Sequence, residues 1–406
     1  MKTHHALIFT ATILAMPVLA VPAYAVDGAD FLKKLDAVQT AQSSQTFTYS
    51  AIEEGADNTL VVHDFLLAPS PDTANDDSFS QVAPVELVVT GLRENADGSY
   101  DADALNLPAT EFANRDTHIR FTGLALGNIH VPAVPSSDSF SGLFHADTAS
   151  MTGIDADYKG KPVLAIDSVD NSQVYDMDSQ TVRFSWQAAN IALDLNPIDE
   201  LSPTLRERLQ KLDLMTAKAN LTSIGTWNLA SGELQLESAK ADIDNVGEIE
   251  TSANLMGFSM DTLGQLDELK GLALPSQGGD NAAVQKQAQS LVLMQKFAVS
   301  SLSVQFTDAS ITNRLLEMLS AEQGESKGAL TEKLRNTLSG AIGYFNSPPL
   351  TAMVNGAADA YLADPKSLEI KIQPPSATPI FSVFLTGLAA PQALPGMLGL
   401  SVAANQ

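Results

Sequence analysis

The sequence predicts an α+β protein, a long antiparallel and meander-rich β-sheet with amphipathic helices packed mainly in the C-terminal half. Two observations carry this expectation. Apolar residues recur at every second position between turn-forming tri- and tetrapeptides through the first half and on to Leu255, the pattern of strands with one dry and one wet face. After Val284 the repeat lengthens to three and four, the period of a helix with one apolar stripe.

Taken in order, residues 1–25 read as a cleavable export signal. Lys2 supplies a short positive region, 6–19 is an uncharged apolar run, and Ala23-Tyr24-Ala25 places small residues at the cleavage position. Pro17 and Pro22 and the short run argue against a retained span. Segments 46–52 and 60–67 flank Gly55-Ala56-Asp57-Asn58, a hairpin signal. Val85, Leu87 and Val89 alternate with more polar neighbours, and Asn95-Ala96-Asp97-Gly98-Ser99 turns the chain. Ile119 and Phe121 share a face. So do Val182, Phe184 and Trp186, whereas Ile191, Leu193 and Leu195 follow one residue out of phase, which marks a bulge or bend. The clearest meander runs from Trp227 through Ser231-Gly232, Leu234, Leu236, Ala241, Ile243 and Val246-Gly247 to Ile249, Thr251, Ala253 and Leu255.

Helical stripes follow. Val284, Ala288 and Leu291 form one, and Ile311, Leu315 and Leu319, with Asp308 and Ser310 as caps, form another. Leu330, Leu334, Leu338 and Ile342 make a third, expected to face the core. Leu350, Met353, Val354, Ala357 and Tyr361 lie between Pro348-Pro349 and Pro365. Short strands at Leu302/Val304/Phe306 and Leu368/Ile370/Ile372 interleave with them. Linker composition at 69–82, 131–142, 196–204 and 271–282 divides the chain into a signal (1–25), a β-rich region (26–200), an α+β region (201–373) and an uncharged, Pro-containing tail (374–406).

Ser231-Gly232-Glu233-Leu234, Ile311-Thr312-Asn313-Arg314-Leu315-Leu316, Asp364-Pro365-Lys366-Ser367-Leu368 and the ending Leu398-Gly399-Leu400-Ser401-Val402-Ala403-Ala404-Asn405 resemble a family of uncharacterised exported, periplasmic proteins of Gram-negative bacteria, over the C-terminal half. The resemblance implies an envelope location and a shared α+β architecture, and it brings no active site with it.

Charge and composition exclude several chemistries. The chain carries 48 acidic against 23 basic residues, a net charge of −25, which repels nucleic acid and anionic headgroups at long range. With no cysteine there is no thiol catalysis, Cys-ligated zinc or iron–sulfur cluster. No Ser-nucleophile elbow, phosphate loop or dinucleotide fingerprint occurs. His63, His118, His130 and His145 form no H-E-x-x-H and no close pair in sequence. Asp72, Asn75, Asp76 and Asp77, and Asn95, Asp97, Ser99, Asp101 and Asp103, read either as solvated turns or as calcium loops. Asp242 and Asp244 read as water-facing strand positions or as a carboxylate pair.

From Ile372 to Gln406 there is no Asp, Glu, Lys or Arg. Either this tail closes the core, or it presents apolar surface to a lipid or membrane-bound partner, with Phe381, Phe384, Leu385, Met397 and Leu398 as contacts. The expectation is therefore a non-enzymatic periplasmic or secreted protein that binds an amphiphile or an envelope partner through an apolar groove. No catalytic residue, metal, cofactor or nucleic acid is expected, nor a transmembrane span after signal cleavage. The alternatives are an extracytoplasmic carboxylate-dependent hydrolase and a purely structural interaction module. A dry groove lined by Leu, Val and Phe favours the first reading, and converging polar groups favour the hydrolase. N-terminal sequencing of the exported chain should read from Val26; recovery of Met1 in the membrane fraction contradicts the signal.

Overall fold

A computed structural model describes residues 26–43, 45–69, 79–136, 139–176, 178–271 and 289–406. The export signal, the Asp72–Asp77 acidic cluster and the helix start at Val284 and Ala288 lie outside the described residues.

The chain begins with helix α1 (Gly28–Ser43) and continues through β1 (Gln45–Thr48), β2 (Ala51–Glu54), β3 (Leu60–Pro69), β4 (Ser80–Gln81), β5 (Val85–Thr90) and β6 (Arg93–Glu94). Long strands follow: β7 (Tyr100–Ala113), β8 (Thr117–Val131), β9 (His145–Tyr158), β10 (Lys161–Asp176) and β11 (Thr181–Asp194). Helix α2 (Pro203–Lys211) precedes β12 (Thr216–Asn228), β13 (Glu233–Ile243) and β14 (Gly247–Met256); α3 (Met260–Gly271) precedes β15 (Ala298–Asp308). Then come α4 (Ile311–Gln323), α5 (Lys327–Gly343), α6 (Pro348–Ala363), β16 (Ser367–Ile372), β17 (Thr378–Pro379), α7 (Ile380–Ala389), α8 (Leu394–Met397) and β18 (Ser401–Ala404).

The expected large antiparallel sheet is present. Each strand from β7 to β15 pairs antiparallel with the next, and β3, β5, β16 and β18 extend the same sheet at its two ends. Strands β11 and β12, on either side of residue 200, are direct neighbours. The helices are not confined to the C-terminal half. Sequence reasoning missed α1, whose Phe31, Leu32, Leu35 and Val38 are all buried at a spacing that forms one helical face. They pack on Val62, Leu87, Val89 and Tyr100 to form the main core, at the N-terminal end of the sheet. Phe31 meets the Tyr100 ring edge-on at 5.6 Å.

The strands are long enough to need correction along their length. A residue in the left-handed region adds a bulge and turns the following side chains over. Asn190 (φ 54°) sits where the register of β11 against β12 shifts between Ala188 and Ile191. This is the phase change visible between Trp186 and Ile191 in sequence. Asp64 (φ 54°) does the same in β3, so that Val62 and Phe65 both point into the core. Asn128 (φ 50°) separates Leu124 and Leu126 from buried Ile129 and Val131 without any shift of register against β7 or β9.

At the C-terminal end, α6 covers the open edge of β18. Met353 Sδ accepts the Val402 N–H at 3.3 Å. Asn405 donates to the carbonyls of Ala360 and Asp364 and accepts from the amides of Lys366 and Ser367. An edge closed in this way does not recruit another strand. Asp308, rather than Ser310, caps α4 with its side chain, accepting from the Ser310 and Thr312 amides at 2.6 and 3.0 Å. The α5 stripe departs from its expected burial: Leu330 and Ile342 are buried, but Leu334 between them is 39% exposed.

Asn190→Val should lower stability by about 1–2 kcal/mol, because a β-branched side chain is strained at positive φ. Asn190→Gly should cost less. Urea denaturation of both variants checks the order.

Candidate functional site

Paired positions across an antiparallel sheet point to the same side, so the register identifies the two faces. One row runs from Leu107 through Leu124, Met151, Val169, Ala188 and Leu221. It continues through Ala241, Ile249, Phe306 and Leu368 to Ala404. Every side chain in it, across eleven successive positions in the sheet, is apolar. The adjacent row on the same face starts at buried Leu60, Val89 and Leu105 and ends at Val304, Ile370 and Val402; it is mixed in its middle, where Asn171, Trp186, Ser223, Ala239 and Thr251 follow one another. Towards the C-terminal end this face is open: Trp186, Ile249, Val304 and Ile370 are each more than a third exposed.

The opposite face is polar. Ser150, Asp170, Gln187, Thr222, Lys240, Glu250, Gln305 and Glu369 pair in one row. Ser150 donates to Asp170 at 2.6 Å, and Gln187 and Ser168 donate to its other oxygen. These donors hold the Asp170 carboxyl below its usual range. Lys240 bridges Glu248 and Glu250. Asp242 belongs to this polar side through its pairing with Asn220 and Glu248. Asp244 lies past the end of β13, in the wall of a cleft of about 570 Å³ shared with Asp155, Asp194, Asp213 and Lys218.

Gly225 shows how tightly the apolar face is fitted. It pairs with Phe184, and a methyl group on it would sit 2.5 Å from the Phe184 ring. The ring occupies the space that a side chain would need.

Under the C-terminal half of α1, the rows floor a cavity of about 150 Å³. Leu35, Val38 and the polar Gln39 form its roof, Leu105, Leu107, Leu124 and Leu126 its floor, and Phe47, Phe65, Leu67, Leu87 and Phe144 its sides.

The five tail residues separate into two groups. Phe384 and Leu385 lie exposed on α7, in line with Ile380 and Leu388, the last of them 69% exposed. Phe381, Met397 and Leu398 are half-buried. Thr386 Oγ1 lies 3.6 Å from Met397 Sδ, and the Leu398 carbonyl accepts the Gln373 amide. Helix α7 leaves β17 beside β15, where the Ile380 amide bonds the Phe297 carbonyl. Sequence reasoning found this apolar segment, as a tail rather than a helix, and missed the sheet face. The signal was present in the alternation of each strand, and reading it as one surface requires the register.

The 95–103 cluster folds as a turn. The Asn95 amide donates to the Ser99 carbonyl, the Ser99 hydroxyl and amide both donate to Asp97, and Asp103 pairs with Arg93 instead. Those Ser99 bonds lower the Asp97 pKa. The histidines depart from expectation. His130 and His145, distant in sequence, are cross-strand partners whose rings stack at 4.9 Å, with Phe140 4.4 Å from His145 and Tyr175 stacked on Phe140. Both nitrogens of His130 face acceptors only, Asp101 Oδ1 at 2.8 Å and the Ser141 carbonyl at 3.2 Å. Among the described residues, no three His, Asp or Glu side chains are placed to hold a metal ion.

Burial, with the neighbouring His130, lowers the His145 pKa from 6.5. The unfolded chain therefore takes up this proton first, and stability is lost as pH falls through the ordinary histidine range towards the depressed native value. Urea midpoints between about pH 7.5 and about pH 5.5 should fall less steeply for His145→Phe than for the parent chain. Parallel profiles would contradict the assignment.

Comparison with known proteins adds one match. A family model described only as an uncharacterized protein matches residues 240–405, from within β13 to the end of β18. No curated protein matches the chain.

Proposed function

We propose that this is a non-enzymatic protein of the bacterial envelope, exported by residues 1–25, that holds the hydrocarbon part of an amphiphile along the apolar face of its sheet. The observation that carries this reading is the row from Leu107 to Ala404, apolar at all eleven positions and open to solvent at Ile249. Exposed apolar side chains are ordinary when scattered. A continuous apolar track on a sheet whose other face is mainly polar is a binding surface. The cavity lined by Leu, Val and Phe under α1 supports the same reading. Binding needs no charged anchor. Each side chain fully withdrawn from water contributes about 1.5–3 kcal/mol. A handful reaches the roughly 8 kcal/mol of micromolar affinity once association costs are met.

A second reading has its own observation. Ile380, Phe384, Leu385 and Leu388 are exposed together on a helix without a single charged residue. In this reading α7 docks on an envelope surface or partner.

A fluorescent fatty acid should bind the purified chain saturably. Ile249→Glu or Val304→Glu, which place a charge on the track, should weaken binding about tenfold or more, equivalent to about 1.4 kcal/mol. Thr222→Glu, on the polar face, should leave it unchanged. Absence of saturable binding across several lipid classes retires the proposal.

A further inference from the structure

The cavity under α1 has a feature that a packing defect in a core does not require: its roof is held in place by polar ties both before it and within it. The N-terminal half of α1 is tied to the sheet by several independent contacts. The Gly28 amide donates to Glu54 at 3.0 Å. Tyr100 Oη bonds both the Asp27 carbonyl and Asp30. Lys34 bridges Asp30 and the Gly98 carbonyl. The cavity lies past these ties, beneath Leu35 and Val38. Between these two roof residues, Asp36 accepts from the Thr46 hydroxyl and the Phe47 amide, which ties α1 to the start of β1.

The floor is equally specific. Leu124 belongs to the wholly apolar row and Leu126 to the apolar start of the row beside it, and their partners on β9 are Met151 and Ala149. The cavity is therefore the covered end of the track whose other end is open at Ile249, Val304 and Ile370. About 150 Å³ is the size of an apolar cavity that stays dry and takes a benzene-sized hydrocarbon. A helix, about 10–12 Å across with its side chains, does not fit.

We propose that this cavity seats the methyl end of a single hydrocarbon chain, with the polar head of the amphiphile left outside and the rest of the chain on the open track. The inference rests on the amphiphile reading above for the class of ligand, and on the cavity for its placement. No charged side chain lines the cavity: its walls are leucine, valine and phenylalanine, with Gln39 of α1 the one polar residue among them.

Methyl-resolved NMR of the mature chain titrated with laurate tests it. The expected result is saturable shifts at the methyls of Leu35, Val38, Leu124 and Leu126. In Leu126→Trp, which fills the cavity, the shifts at those remaining methyls should be lost and laurate affinity should fall about tenfold. Shifts confined to Ile249 and Val304 would overturn the seat while leaving the track reading intact. Shifts confined to the cavity methyls would uphold the seat and count against the track. No saturable shift at any methyl overturns both. Should Leu126→Trp fail to fold, the distribution of shifts in the parent chain decides alone.

Discussion

Side chains alternate strictly between the two faces of a strand, and a sheet of this length has to keep that alternation in step across every neighbour. One residue inserted into one strand moves all that follow to the wrong side. Here the insertions are present and are put to use. Asp64 and Asn190 each take the left-handed conformation at a register shift, where the apolar positions change parity. Asn128 takes the same conformation where the parity of β8 changes with its register intact. The backbone yields locally, and the leucines, valines and isoleucines on either side of each such residue remain on one face. Asn and Asp suit these sites because their short polar side chains tolerate positive φ and bond nearby groups. Asn190 does this with Asp167, and Asn128 with Asp147.

The rest of the molecule follows from that preserved face. At its N-terminal end, α1 covers it and forms the deep core around Phe31 and Tyr100. Burial there pushes the Tyr100 hydroxyl pKa up, with Asp30 adding to the effect. At the far end, α6 closes the β18 edge through Met353 and Asn405. Between these ends the face carries half-buried and exposed apolar side chains. The polar face opposite is laced with bonds such as Ser238 to Glu250 and Ser303 to Glu369. One sheet thus presents a wet side and a long apolar side, which is the physical basis of the proposed ligand.

Much of this was legible in sequence, and the parts that were not share a cause. The hairpin around Gly55–Asn58 and the meander from Trp227 to Leu255 were visible because turn and alternation are local signals. The bulge at Asn190 was visible as a one-residue slip between Trp186 and Ile191. The stacking of His130 on His145 was hidden, because it depends on the register of β8 against β9 across the loop between them. Helix α1 had a readable spacing at Phe31, Leu32, Leu35 and Val38, yet the surface it covers is built from strands that come later in the chain. The α5 stripe misled at Leu334, which is exposed between buried Leu330 and Ile342: periodicity shows which residues share a helix face but not whether a neighbour covers each of them. The charge-free tail pointed to apolar surface, and α7 carries part of it. The larger apolar surface lay in the strands, where each contributes only one or two residues to any row.

The central claim is that a hydrocarbon chain lies on one face of this sheet and not on the other. Photo-cross-linking with a diazirine-bearing fatty acid, followed by peptide mapping, measures this directly. The account predicts saturable adducts on the apolar rows, at Met151, Val169, Ile249 and Val304, competed away by unlabelled fatty acid. Adducts distributed equally over the Thr222, Lys240 and Gln305 face, or not competed by unlabelled fatty acid, would contradict it.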